Sequence, residues 1–295
     1  MTMTKLGVVG AGRVGAVLSA ALRAAGHDVT AAAGESDGSR ARIAALLPGV
    51  PVQKPTAVSR SCDLLLLTVP DDMLPNVVAM LAASGAIRPG QYVAHTSGRH
   101  GLAVLRPAAD LGAHVLALHP AMTFTGTALD LTRLGGCAFG VTADEPEAVA
   151  MAEVLVSDLR GHLVWVPEEK RSLYHAGLAH GANHLVTLVS QAMGLLRESG
   201  ADDPAATLRP LLAAALDNAL TMGDAALTGP IVRGDVETVR AHLEAIRRTQ
   251  PGTLESYVAL GRATANTAVM DGRLLPIRAA KLVGILNDAL EKVTA

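Results

Sequence analysis

The hydrophobic pattern of the chain changes character once. Through the first 166 residues, short apolar runs alternate with stretches in which apolar residues recur every three to four positions. The runs Leu6–Val9, Asp28–Ala33, Leu64–Val69, Tyr92–His95, Val115–Leu118, Ala138–Val141 and Leu163–Val166 predict strands. Between them, Arg13–Ala25, Arg40–Leu47, Met73–Ala83, Leu102–Leu111 and Pro146–Leu159 predict helices. Strands alternating with helices imply βαβ units and a parallel sheet. Beyond Val166 no convincing strand follows. Helical segments succeed one another over about 168–199, 205–223, 235–249, 252–270 and 279–292, broken at Gly200 to Pro204, Thr228-Gly229-Pro230, Pro251-Gly252 and Asp271 to Pro276. The expected organisation is an α/β domain over residues 1–166 and an all-helical domain over residues 167–295.

Gly10-Ala11-Gly12-Arg13-Val14-Gly15 is a G-x-G-x-x-G element that follows the first strand and opens the first helix. That context is the one the dinucleotide-binding fingerprint requires, and it makes the α/β part a Rossmann-type domain. Gly10 permits the tight turn, Gly12 lets the backbone approach a pyrophosphate, and Gly15 lets the helix pack closely on the strand. The helix N-terminus then faces the phosphates. The end of the second strand bears on the choice of cofactor. An acid there would accept from the ribose hydroxyls of NAD. Ala31-Ala32-Ala33 stands in its place, and Ser36, Ser39 and Arg40 follow. These donors suit the 2′-phosphate of NADP rather than NAD, with Arg42 ranked behind Arg40, although Glu35 and Asp37 would repel it. Val69 and Pro70 lie where backbone passes the nicotinamide ribose, and Asp71 with Asp72 reads as an N-cap pair.

Several residues suit chemistry on a small substrate. Ser97, in His95-Thr96-Ser97-Gly98, ends a strand at the carboxyl edge where ligands bind in open α/β sheets, and it suits either a substrate oxygen or a helix cap. His119 ends the next strand, where a histidine can titrate near neutrality and donate a proton, or bond backbone structurally. On the first long helix, Ser172, Ala176, Ala179, Asn183, Thr187 and Ser190 share one face at about 100° per residue. Such a small, polar stripe lines either a cleft or a water-bridged helix contact. Asn183 at its centre could orient a carbonyl and His175 supply a proton. His180 and His184 stand four apart without a third ligand, so no metal is expected. In the loop Leu227 to Asp235, Arg233 could pair a carboxylate, and Thr228 could line the same pocket. Asp235 either joins them or caps the following helix.

Composition narrows the alternatives. The chain has 295 residues, enough for two domains, and half are hydrophobic. Only six are aromatic, so the cores must be built of Ala, Leu and Val. A net charge of −2 without long like-charge runs argues against a nucleic-acid or anionic-membrane partner. Cys62 and Cys137 are too few for a disulfide framework. The start of the chain does not read as a signal peptide, so a cytoplasmic protein is expected. The 25 residues from Ser172 to Leu196 carry no formal charge, yet hold three histidines, Asn183, Ser190 and Gln191. They read as a long buried helix rather than a membrane span.

Taken together, the motifs resemble a bacterial family that joins a Rossmann-like domain to a helical C-terminal domain of unassigned function. The resemblance rests on the glycine motif, Val69-Pro70-Asp71-Asp72, His95-Thr96-Ser97-Gly98, Leu118-His119-Pro120, Tyr174-His175, Asn183-His184-Leu185 and Leu227 to Asp235, and it spans essentially the whole chain. That family is similar in architecture to ketopantoate reductase, 6-phosphogluconate dehydrogenase and pyrroline-carboxylate reductase. The resemblance implies a homodimer through the helical domains, an active site between the domains, and an NADP-dependent oxidoreductase acting on a small 2-oxo acid (ketopantoate-like) or β-hydroxy acid. An imine reductase and a non-catalytic dinucleotide sensor are the alternatives. One departure matters: many β-hydroxyacid dehydrogenases of this architecture carry a Lys one turn before the Asn, and here Ala179 stands there.

Overall fold

The computed structural model describes residues 3–294, with side chains through residue 291. Met1, Thr2 and Ala295, the outermost residues of the two expected domains, lie outside the described residues. Seven strands make one sheet: β1 (Lys5–Val9), β2 (Asp28–Ala33), β3 (Leu64–Leu67), β4 (Tyr92–His95), β5 (His114–Pro120), β6 (Ala138–Thr142) and β7 (His162–Trp165). Their order is β2-β1-β3-β4-β5-β6-β7, and every neighbouring pair is parallel except β5 with β6. The four leucines of β3 are all buried, as a central strand covered on both faces requires. They pair in register with Leu6–Val9 and with Tyr92–His95. Because β2 and β3 lie on opposite sides of β1, the chain reverses its direction of growth there. That reversal opens a crevice at the carboxyl end of β1.

Helices flank the strands: α1 (Arg13–Ala24), α2 (Asp37–Leu46), α3 (Pro55–Arg60), α4 (Leu74–Ala83), α5 (Arg106–Ala109), α6 (Ala128–Arg133) and α7 (Pro146–Asp158). Two apolar cores result. One joins α1 and α7 to the sheet through Leu18, Leu22, Leu66, Phe139 and Leu155. The other joins α4 and α5 through Val9, Leu65, Leu67, Leu74, Val78 and Ala108. The short helices α3 and α6 have no counterpart in the periodicity, because six residues are too few to show one. The single helix expected over Leu102–Leu111 is instead a 3₁₀ turn, Leu102–Leu105, followed by α5. Pro107 accounts for the break, since it offers no backbone N–H to bond back to the preceding turn.

After β7 the described residues form α8 (Arg171–Leu178), a π-helical turn (Ala179–Asn183), α9 (His184–Glu198), α10 (Pro204–Met222), α11 (Val236–Thr249), α12 (Leu254–Met270) and α13 (Pro276–Thr294). Compact packing divides between Gly181 and Ala182, so α8 packs with the sheet unit, whereas the sequence pattern changes at Val166. The second unit has its own core, built from α11, α12 and α13 through Val239, Leu243, Ile246, Val258, Ala265, Leu282 and Leu286. The helix expected to be buried is not: α9 contains no buried residue. Its Val186 is 69% exposed, and Leu211 and Leu220 of α10 are 64% and 80% exposed. The second unit packs its interior from the three later helices and leaves α9 and much of α10 as an outer, apolar layer. Among the described residues, no helix is long and apolar enough to cross a membrane.

Candidate active site

The loop from β1 into α1 is shaped by its glycines. Gly10 sits at φ +94, which side chains rarely adopt, and its N–H and that of Ala11 both donate to the Ala33 carbonyl at 3.0 and 2.9 Å. This fastens the loop to the end of β2. A Cβ on Gly15 would stand 2.2 Å from Thr68 Oγ1, while that hydroxyl donates to the Gly10 carbonyl at 2.6 Å. A Cβ on Gly12 would have only the Gly10 carbonyl within 4 Å, at 3.7 Å, so the space over Gly12 is open. No side chain caps α1, leaving its first backbone N–H groups turned toward that space. A cavity of about 620 Å³ lies there, within the range of cofactor sites. Gly10, Gly12, Arg13, Val14, Val69 and Pro70 line it, with Ser36 and Ser39 at one end and Thr96 and Ser97 at the other. Ala11 and Gly15, also expected at the cofactor, are buried and form the packed base beneath.

Arg40 does not line this cavity. It is exposed, donates to the Glu35 carbonyl and pairs with Asp37 at 2.5 Å, one turn away on α2. Ser36 caps α2, its hydroxyl accepting from Ser39 N at 3.1 Å.

At the other end of the cavity, β4, β5 and α8 bring a polar cluster together. His119 Nδ1 lies 3.2 Å from Tyr174 Oη, and the rings of His119 and His175 are 5.7 Å apart and nearly perpendicular. Both histidines close on Gly98. An added Cβ there would be 2.4 Å from His175 Cδ2 and 3.0 Å from His119 Nε2, so only glycine leaves room for them. Gly98 follows Ser97, which lines the cavity. Ser97 Oγ accepts from His100 N at 3.1 Å. Burial holds His119 down at about 4, helped by the charges of His175 and Arg171. A neutral ring at pH 7 corrects the expectation that His119 titrates near neutrality. It can donate a hydrogen bond there but cannot serve as the proton source. The Tyr174 hydroxyl is pushed up by burial and stays protonated.

Two residues of this cluster escaped the sequence reading of the site. His95 is completely buried: its Nδ1 accepts from Ser97 N at 3.1 Å and its Nε2 donates to the Gly101 carbonyl at 2.9 Å. Arg171 is equally buried, and donates to the Ser97 carbonyl at 2.6 Å and to Thr142 Oγ1 at 2.9 Å, while its Nε has no partner. No carboxylate pairs with it among the described residues. An arginine at the start of a helix that follows a strand looks like an ordinary surface residue, and nothing in its spacing signals burial.

The remaining expected residues belong to the second unit. Asn183 is exposed and ends the π turn. That turn interrupts the stripe from Ser172 to Ser190, because its residues advance by less than 100° each and shift the face on either side. Thr228 and Arg233 are exposed in their loop. Asp235 resolves as the N-cap of α11, accepting from Thr238 N at 3.1 Å and Thr238 Oγ1 at 2.7 Å. His180 falls in the π turn and His184 begins α9. The ligand types that do gather, among the described residues, are His114, Glu145 and Glu147 at the start of α7, where His114 Nδ1 and Glu145 Oε2 are 2.8 Å apart.

Comparison with known proteins agrees with this architecture. Residues 2–120 match the model of the Rossmann-like domain, and residues 137–264 match a domain of unknown function, DUF2520. The protein thus joins a Rossmann-like domain to a DUF2520 domain. An NADP oxidoreductase by name, from Bacteroides fragilis, shares the fold at a TM-score of 0.77 and 18% identity, over 90% of this chain and 98% of that one. An imine reductase from Pseudomonas sp. does so at 0.66 and 18%, over 98% and 100%. A reductive aminase from Aspergillus terreus, solved with NADPH, does so at 0.60 and 17%, over 99% and 95%. At such identities the likeness is one of fold. No curated protein matches the sequence.

The two buried histidines give the unit a pH signature. His95 and His119 both sit near 4, below the ordinary 6.5, with burial the main cause. Between those values the unfolded chain binds more protons than the folded one. Their contribution to stability is therefore complete above about pH 6.5 and is lost as pH falls toward 4, amounting to roughly 3 kcal/mol for His95. Urea titrations between pH 7.5 and 4.5 should show stability falling through this window, with a shallower fall in His95→Asn, which keeps an acceptor near Nδ1. Equal slopes in the two proteins would contradict the assignment.

Proposed function

We propose that the protein is an NADP(H)-dependent oxidoreductase that either reduces a small 2-oxo acid of the ketopantoate type or oxidises a β-hydroxy acid. The observation that carries this reading is the convergence of His119 and His175 on Gly98, next to Ser97 on the cavity wall. The cavity runs from the glycine loop to Thr96 and Ser97, one residue short of the glycine on which this cluster closes, a layout that suits binding a dinucleotide against a reacting carbonyl. The absence of an acid at Ala33 supports NADP over NAD. When bound, the reduced nicotinamide supplies a hydride to the carbonyl carbon, and the oxygen must then gain one proton.

The chain's own groups suit that need. Tyr174, protonated, donates to His119 Nδ1, which fixes the tautomer with the hydrogen on Nε2. His119 Nε2–H then points past Gly98 as a neutral donor for the carbonyl oxygen. His175, on the other side of Gly98, delivers the proton, taking the place of the lysine that Ala179 lacks. Ser97 keeps its hydroxyl hydrogen for a substrate oxygen. The same donors would serve a cyclic imine, and the whole-length likeness in fold to an imine reductase supports including one.

A panel of 2-oxo acids and cyclic imines, followed by NADPH absorbance, tests the reading. One class should be turned over. His175→Ala should then lower kcat by about 10²–10⁴-fold while NADP affinity holds. NADPH bound but never oxidised would leave a dinucleotide sensor, and undiminished kcat in His175→Ala would remove the proton assignment.

The exposed apolar layer of α9 and α10 supports a homodimer through the helical domain. Val186, Leu188, Leu211, Leu216 and Leu220 are each 42% exposed or more, and large apolar side chains clustered on two helices suit a protein–protein interface. The wild-type chain should sediment as a dimer and Leu216→Glu/Leu220→Glu as a monomer. A monomeric wild-type chain would contradict the arrangement.

A further inference from the structure

We infer that Arg13 and Arg42 form a clamp for the adenosine 2′-phosphate of the dinucleotide, an inference that rests on the cofactor reading above. The two guanidinium stems converge on one point. A Cβ added to Gly126 would stand 3.0 Å from Arg13 Cγ, 2.6 Å from Arg42 Nε and 3.1 Å from Arg42 Cδ. Gly126 sits at φ +80, in the loop before α6. Arg42 also reaches back along its own helix: its Nη1 is 3.3 Å from where a Gly38 Cβ would be, over the first turn of α2. Arg13 lines the cofactor cavity beside Gly34, Ser36 and Ser39, and Ser36 Oγ and Ser39 Oγ are 2.9 Å apart, whereas Arg42 stands just outside that lining and meets it through the Arg13 stem at Gly126.

Neither guanidinium makes an ion pair or hydrogen bond among the described residues. The Arg42 guanidinium and the aliphatic stem of Arg13 lie beside one glycine, so two like charges rise from neighbouring points, and an anion between their ends would relieve the repulsion. The nearby carboxylates do not fill that place. Asp37 is paired with Arg40. Asp130 is fully buried, with one oxygen accepting from Gly126 N at 2.7 Å and the other from Thr125 Oγ1 at 2.9 Å. Glu35, on the cavity wall, is a single negative charge against two positive ones. A phosphate monoester matches what is left: nearly two negative charges, oxygens for two guanidinium forks, and the Ser39 hydroxyl beside them. The cation expected to do this from the sequence, Arg40, is already committed to Asp37 and the Glu35 carbonyl. The ordering of the two arginines is therefore reversed.

Calorimetry on the full chain tests the clamp with NADP⁺, NAD⁺, 2′,5′-ADP and 5′-AMP as probes. The wild-type chain should prefer NADP⁺ over NAD⁺, and 2′,5′-ADP over 5′-AMP. Arg42→Ala should cut both preferences by roughly 10–100-fold, the scale of one charge-assisted contact. Arg42→Lys should restore part of them, and Arg13→Ala/Arg42→Ala should abolish them. Arg40→Ala should keep them within about 3-fold of wild type, as expected for an exposed pair. Because each result is a ratio within one protein, a general loss of folded material does not mimic it. Preferences that survive Arg42→Ala, or that collapse in Arg40→Ala, would overturn the clamp. So would a wild-type chain that binds NAD⁺ as tightly as NADP⁺, though dinucleotide binding itself would then stand. A wild-type chain that binds none of the four would overturn the cofactor reading and the clamp with it.

Discussion

The close approach of three backbone segments at the glycine loop is the constraint on which the rest depends. Gly10 and Ala11 donate to the carbonyl of Ala33, and Thr68 donates to the carbonyl of Gly10, so the ends of β1, β2 and β3 are tied at one place. The contacts leave no room for a Cβ at Gly10 or Gly15. They draw the start of α1 into the crevice where the sheet reverses its order. An anion there meets backbone N–H groups that no side chain has claimed. Everything assigned to the two ends of the cavity follows from that anchor. In the proposed function the adenosine end would fall at the start of α2, and the reacting end at Ser97 and Gly98.

The loop at Ser97 and Gly98 is held by a charge that pairs with no carboxylate among the described residues. Arg171 is buried, its hydrogen bonds go to neutral oxygens, and burial lowers its pKa. A guanidinium remains charged even so. Its bonds to the Ser97 carbonyl and Thr142 fix the loop on which the two histidines close. Its field also helps keep His119 neutral. In the proposed function, a neutral, buried donor beside a second histidine would divide the work between binding an oxygen and protonating it, in place of the lysine and asparagine pair of the enzymes the sequence resembles.

Local features of the sequence carried the fold and half of the site. The glycine motif is legible because each glycine answers a steric demand within a few residues. The buried strands are legible because a doubly covered strand must be an unbroken apolar run. What was hidden depends on distant partners. Tyr174 and Arg171 matter through β5 and β6, which lie 29 residues or more before them in the chain. The π turn at Ala179–Asn183 leaves no mark in composition, yet it displaces the stripe that seemed to centre on Asn183. The uncharged helix looked like core because hydropathy reports the wish to be covered and not what covers it. Arg40 and Arg42 differ only in which way they face, and that is settled by Asp37 and by a loop near residue 126.

A dinucleotide seated on the glycine loop in the proposed manner would place its reactive ring at the His119 and His175 pair. Histidine ring resonances followed by NMR during a titration with NADP⁺ report on that placement. The signals of His119 and His175 should shift and saturate with the cofactor, while His27, buried against Asp158 in the same unit, stays still. Saturating cofactor that leaves both signals unmoved, or that moves His27 as much as the pair, would contradict it.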